Sequence, residues 1–178
     1  MKKPVMLPVA AIAAAFVLLL GLSFALQGAG SAKAQSEHLR IMHTILPESN
    51  EFVVEPYAGD DENIRSVHKA ENGFVIETVT AGYGGDIRMM VGVSNEGTVT
   101  GLVVMELSET FGLGAEALTD HVYLAQYLNT SGEAEVGVNV DAISGATVTS
   151  RAVTRCVNSA VAFVTGADTD SGATSWGG

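Results

Sequence analysis

A run of 22 residues from Val5 to Leu26 is almost wholly apolar, and no charged residue occurs between Pro4 and Ala32. At a rise of ~1.5 Å per residue, such a run crosses the ~30 Å hydrocarbon core of a bilayer as one helix. No second stretch approaches it, so the chain reads as single-pass although 47% of its residues are hydrophobic and only 16% are charged. Lys2 and Lys3 precede the run. Basic flanks stay on the cytoplasmic side, which puts the N-terminus in the cytoplasm and everything after Leu26 outside the cell (inner) membrane. The competing reading is a cleaved signal peptide, for which Ala32-Lys33-Ala34 resembles a small-x-small cleavage site. Against it, the run exceeds the ~7–15 residues of a signal h-region. Both readings export the rest of the chain. The expected organisation is a lipid-embedded anchor over residues 1–34, one folded domain over 35–165 and a flexible tail over 166–178.

All 20 acidic residues lie beyond residue 30 with seven of the nine basic ones, a formal charge of −13 on the exported part. That surface repels polyanions and excludes nucleic acid as a partner. A lone cysteine, Cys156, excludes an internal disulfide, a cysteine-ligated iron–sulfur cluster and a Cys-rich zinc site. As a single small residue inside a helical pattern, it reads as buried. His38, His43, His68 and His121 show no metal-ligand spacing. Asp60, Asp61 and Glu62 read as a solvated loop after Gly59. Neither Ser144 nor Ser150 has the Gly-x-Ser-x-Gly surroundings of a hydrolase nucleophile. Redox chemistry in such a domain requires an organic cofactor.

The periodicity predicts an α+β domain. Ser36 to Ile45 is a short helix ended by Pro47, and Phe74 to Val79 is a strand. Ile87 to Val93 and Thr98 to Leu107 are two further strands joined by the Ser94-Asn95-Glu96-Gly97 hairpin, which makes the sheet mainly antiparallel. Ala115 to Leu128 carries Leu118, Val122, Leu124, Ala125 and Leu128 at helical spacing. Val148 to Val164 does so with Val153, Val157, Ala160, Val161 and Val164. Both helices are expected to pack on the sheet.

Between these helices lies Asp141-Ala142-Ile143-Ser144-Gly145-Ala146-Thr147-Val148-Thr149-Ser150. Hydroxyls and small residues at a helix start suit a phosphate, because free backbone N–H groups and the helix dipole point there. Gly145 and Ala146 let a ligand approach the backbone. The same residues also suit an ordinary capped helix, with Ser144 or Thr147 accepting from the first N–H groups.

The segment resembles the flavinylation motif of the FMN-binding domain family, which includes the G subunit of the Rnf complex and, more distantly, the C subunit of the sodium-pumping NADH:quinone reductase. Other landmarks follow the family's order: Ala81-Gly82-Tyr83-Gly84-Gly85, Gly92, Gly97, and Glu109-Thr110-Phe111-Gly112-Leu113-Gly114. One departure is Phe111, where many relatives have proline. The resemblance implies FMN joined by a phosphoester to Thr147, placed there by an ApbE-type flavin transferase that uses FAD. It implies a phosphate turn from Ser144, Gly145 and Ala146, flanked by Asp141 and Val148, and a ring environment from Glu109, Thr110, Gly112, Leu113 and Gly114.

The implied role is an electron-transfer component, not catalytic alone, of an ion-translocating ferredoxin:NAD oxidoreductase. Its partners would be the other membrane subunits, notably a polytopic flavinylated one. The alternatives are a stand-alone anchored FMN carrier and an anchored binding module without cofactor. A second Ser171-Gly172-Ala173-Thr174 lacks a following helix, which leaves Thr174 without a binding turn.

Overall fold

The computed structural model describes residues 33–107, 118, 120–132 and 134–167. The apolar run at 5–26, the segment holding Glu109, Thr110, Phe111, Gly112, Leu113 and Gly114, and the second Ser-Gly-Ala-Thr copy lie outside the described residues. Two compact units divide the chain, Met1–Arg40 and Ile41–Gly178. Helical residues 33–45 form α1, with 33–40 in the first unit and 41–45 in the second. Among the described residues, no helix is long and apolar enough to cross a membrane. In the first unit Arg40 donates to Glu37 at 2.7 Å, a surface pair one turn apart.

The second unit is built on five antiparallel strands in sequential order. They are β1 (Val53–Glu55), β2 (Ile64–Lys69), β3 (Gly73–Ala81), β4 (Asp86–Ser94) and β5 (Val99–Leu107). Val75 pairs with Gly92, and Gly92 pairs with Gly101, in the central three strands. Beyond residue 120 the described residues form the helices α2 (His121–Ala125) and α3 (Thr147–Thr165). The predicted α+β class and antiparallel hairpin are therefore present, with Ser94 O accepting from Gly97 N–H at 2.9 Å in the turn.

Alternation along the strands sends side chains to two cores. On one face Val67, Ile76, Ile87, Met89, Val91 and Val93 pack under α3, which contributes Ala152, Val153, Cys156, Val157, Ala160 and Val161. On the other, Val75 and Met90 pack with Met42, Ile45 and Leu46. β4 is buried on both sides, which is why it reads as an almost continuous apolar run.

The second core depends on a close approach between backbones. A Cβ at Gly101 would stand 2.7 Å from Ile45 Cα, and one at Gly92 would stand 2.7 Å from Thr100 Oγ1. The paired glycines leave room for the end of α1 to rest on the sheet, where Thr100 Oγ1 donates to Ile45 O at 2.6 Å. Gly101→Ala is expected to lower stability by about 1–3 kcal/mol, the usual cost of overpacking. Urea unfolding of the variant checks it, and an unchanged midpoint would mean that Ile45 does not rest against Gly101.

Candidate functional site

α3 runs for 19 residues from Thr147, one residue before the predicted start. Its buried stripe against the sheet fixes where its first turn emerges. Ahead of that turn Ala146 N–H donates to Ile143 O at 2.9 Å, closing a tight turn over Ile143-Ser144-Gly145-Ala146. Gly145 has φ 80°, in the left-handed region that a residue with a Cβ enters only with strain.

Ser150 holds this turn from inside. Its hydroxyl donates to Ala146 O at 3.0 Å and accepts from Ile143 N–H at 3.1 Å, while its own N–H reaches Ala146 O at 2.9 Å. One buried serine thus ties both ends of the turn to the helix. Ala146 stands at the N-cap, and its methyl group makes no cap hydrogen bond, so neither Ser144 nor Thr147 occupies the N-cap position that the sequence offered. With the turn already closed through Ser150 and Gly145, both hydroxyl residues are left exposed. Asp141, Ser144, Gly145, Thr147 and Val148 are all exposed, and Ala146 is buried beneath them. These six residues gather in one turn. The ring-environment residues from Glu109 to Gly114 fall outside the described part of the chain.

Two tyrosines brace the site. Tyr123 and Tyr127 are buried, their rings edge to face with centroids 5.7 Å apart and their hydroxyls 2.8 Å apart. Tyr127 Oη shares a hydrogen bond with Thr154 Oγ1 at 2.8 Å, and both Tyr123 Oη and Thr154 Oγ1 donate to Ser150 O. Burial pushes both phenols above their ordinary range, most strongly Tyr127, beside which Tyr123 adds to the shift. They stay neutral and hold the Ser150 peptide in place. Sequence reasoning missed this pair, whose signal is two tyrosines four residues apart facing a Ser150/Thr154 pair at the same spacing.

α2 also differs from its prediction. The described helix covers only His121–Ala125, started by Asp120, whose carboxylate accepts from Val122 N–H at 2.8 Å. Its buried side is Tyr123, whereas Val122 is exposed, because the tyrosines find hydroxyl partners inside.

Cys156 is fully buried, and burial pushes its thiol up to about 11, so it stays protonated. Of the acidic trio, Asp60 and Glu62 are exposed, but Asp61 is half-buried and accepts from Asn63 N–H and Nδ2 at 2.8 Å. A cavity of about 320 Å³ lies beside Asp61, Glu55, Tyr57, Ser159 and Phe163. Its helical lining begins at Ser159, 12 residues or roughly 18 Å along α3 from Thr147, so it is separate from the turn.

The exposed Thr147, a left-handed backbone at Gly145 and the start of a long helix together fit a phosphoester. The anion would sit at the positive end of the helix dipole, and no buried group would need to move.

Residues 82–162 match the FMN-binding domain family. The G subunit of the ion-translocating oxidoreductase complex of Methanosarcina acetivorans is 35% identical, over 89% of this chain and 90% of its own length. The G subunit of the Na(+)-translocating ferredoxin:NAD(+) oxidoreductase complex of Acetobacterium woodii is 31% identical, over 66% of this chain and 69% of its own. The G subunit of the proton-translocating ferredoxin:NAD(+) oxidoreductase complex of Clostridium ljungdahlii is 36% identical, over 52% and 53%. The family match opens at the β3–β4 hairpin and closes within α3, so it takes in the whole turn at Thr147. The chain therefore belongs to the FMN-binding domain family, together with the G subunits of ion-translocating oxidoreductase complexes.

Proposed function

We propose that this protein is the G subunit of an Rnf-type, ion-translocating ferredoxin:NAD oxidoreductase, and that it carries FMN covalently on Thr147 as an electron-transfer group. The observation that carries the reading is an exposed Thr147 at the start of α3, inside the span that matches the FMN-binding family. The 35% identity to a G subunit along nearly its whole length supports the setting in a membrane complex. The partners are then the other subunits of that complex, including a polytopic flavinylated one.

Attachment requires Thr147 Oγ1 to form a bond to the phosphorus of the flavin half of FAD. AMP leaves as the pyrophosphate bond breaks, and the hydroxyl proton passes to the ApbE-type transferase. The exposure of Thr147 lets that enzyme reach it. Ser144, Gly145 and Ala146 then hold the phosphate turn in shape. When bound, FMN supplies the capacity to take electrons in pairs and pass them on singly. The chain contributes position. Glu109, Thr110, Gly112, Leu113 and Gly114 are assigned to the ring's surroundings by resemblance alone.

Residues 1–34 anchor the domain in lipid with the N-terminus cytoplasmic, residues 35–165 form the extracytoplasmic FMN-binding domain, and 166–178 are a dispensable tail. Alkaline extraction of membranes should leave the protein in the pellet with an intact mass that retains residues 1–34. A soluble form starting at Gln35 would remove the anchor from the account. A chain stopped after Thr165 should incorporate flavin as the full chain does, since the turn and its Ser150 clamp lie upstream. Loss of flavin from a folded truncation would assign the tail a direct role.

The decisive experiment coexpresses the protein with a flavin transferase and looks for flavin fluorescence in a denaturing gel. Thr147→Ala should abolish it and Thr174→Ala should leave it unchanged. Thr147 is exposed and is not the N-cap residue, so its loss should change stability by no more than about 0.5 kcal/mol. An adduct mapped to any other residue would overturn the assignment.

A further inference from the structure

We propose that Tyr83, at the tip of the β3–β4 hairpin, is the aromatic platform on which the isoalloxazine ring stacks, an inference that rests on the attachment of FMN at Thr147. Gly82 N–H donates to Gly85 O at 2.8 Å and closes the hairpin, so Tyr83 and Gly84 form its tip. The tyrosine is 80% exposed and follows Gly82 in the chain.

Contacts along α3 locate that tip. Phe163, near the helix C-terminus, packs on Phe74 at the start of β3 with centroids 5.7 Å apart. Two turns earlier Arg155 donates to Ala81 O at 3.2 Å and to Thr80 Oγ1 at 3.4 Å, at the end of β3. Helix and strand therefore run antiparallel. The residues that continue each of them, Tyr83 beyond Ala81 and the first turns of α3 before Arg155, fall at the same end of the domain. Val148 lies seven residues before Arg155, two turns along one line of the helix, and so faces the hairpin side. It is 48% exposed.

A flavin joined to Thr147 thus meets first the apolar side chain of Val148 and then the exposed face of a phenol. A flat, electron-poor ring system gains most from an offset aromatic partner of this kind. Arg155 ties the helix to the strand end two residues before Tyr83.

A phenol in contact with excited flavin donates an electron, takes it back and so returns the flavin to its ground state without emission. The test uses full-length protein coexpressed with a flavin transferase and purified in detergent. Emission per flavin absorbance is compared before and after unfolding in guanidinium, beside in-gel fluorescence. Native wild type should be quenched relative to its unfolded form. Tyr83→Ala should raise native emission roughly twofold or more, with unfolded emission and in-gel intensity unchanged. Tyr83→Phe should also lose quenching while keeping the wild-type visible absorption band, because the stack remains without its electron donor. Native emission of Tyr83→Ala equal to wild type, with the adduct present, would overturn the platform and leave attachment intact. Absence of the adduct from wild type would overturn the attachment itself and the platform with it.

Discussion

The packing of α3 across the sheet positions everything else in the domain. Ala152, Val153, Cys156, Val157 and Ala160 are fully buried against strands whose own inward residues, Val67, Ile76, Ile87, Met89 and Val91, are equally inaccessible. Each buried valine, isoleucine or methionine contributes about 1.5–3 kcal/mol. Small residues at Ala152, Cys156 and Ala160 let the helix axis come close to the sheet. A helix held this firmly along its length has no freedom at its first turn, and the turn at Thr147 inherits that rigidity.

Polar groups complete what apolar packing begins. Ser150 sits under the turn with its carbonyl, hydroxyl and N–H all engaged, and the Tyr123–Tyr127–Thr154 cluster occupies the carbonyl side. Every hydroxyl in that cluster has a partner, which is the condition under which a buried polar network specifies one arrangement instead of several. Ser150→Ala would leave Ile143 N–H without its acceptor and loosen the exposed turn while the helix remained. The shape of the turn therefore depends on residues that never face it.

What could be read in the sequence follows from how local each signal is. β3, β4 and β5 were legible because β-branched and apolar residues recur over many positions, and β4 betrays burial on both faces. β2 was not, because Ile64-Arg65-Ser66-Val67-His68-Lys69 has four polar residues in six, and a register shift between Ile64 and Ser66 breaks the alternation. β1 has only three residues and stops before Pro56. The start of α3 and the exposed Ser144-Gly145-Ala146-Thr147 turn were legible from small residues and hydroxyls in a row. The clamp was not, since the bond from Ile143 N–H to Ser150 exists only once Gly145 has folded the chain back. In the segment after residue 115 Leu118 and Leu124 do face the core, but Val122 and Leu128 are exposed, because counting valine and leucine overlooks tyrosines whose hydroxyls are satisfied inside.

Under the proposed attachment, exposure at Thr147 accounts for why a covalent bond would suit this site. Small-molecule pockets bury about 70–90% of a ligand, and that burial offsets the loss of its translational and rotational freedom. Among the described residues, Asp141, Ser144, Gly145, Thr147 and Val148 are exposed, and the described cavity of about 320 Å³ lies toward the other end of α3. A cofactor resting on such a turn without a bond would escape by simple dilution. A bond through Thr147 removes that requirement, so the flavin can lie where a second redox protein approaches it without the domain having to enclose it. On this reading, a rigid helix start, an open turn and an aromatic platform at the hairpin tip form one design, in which the fold fixes where the ring sits and the covalent link keeps it there.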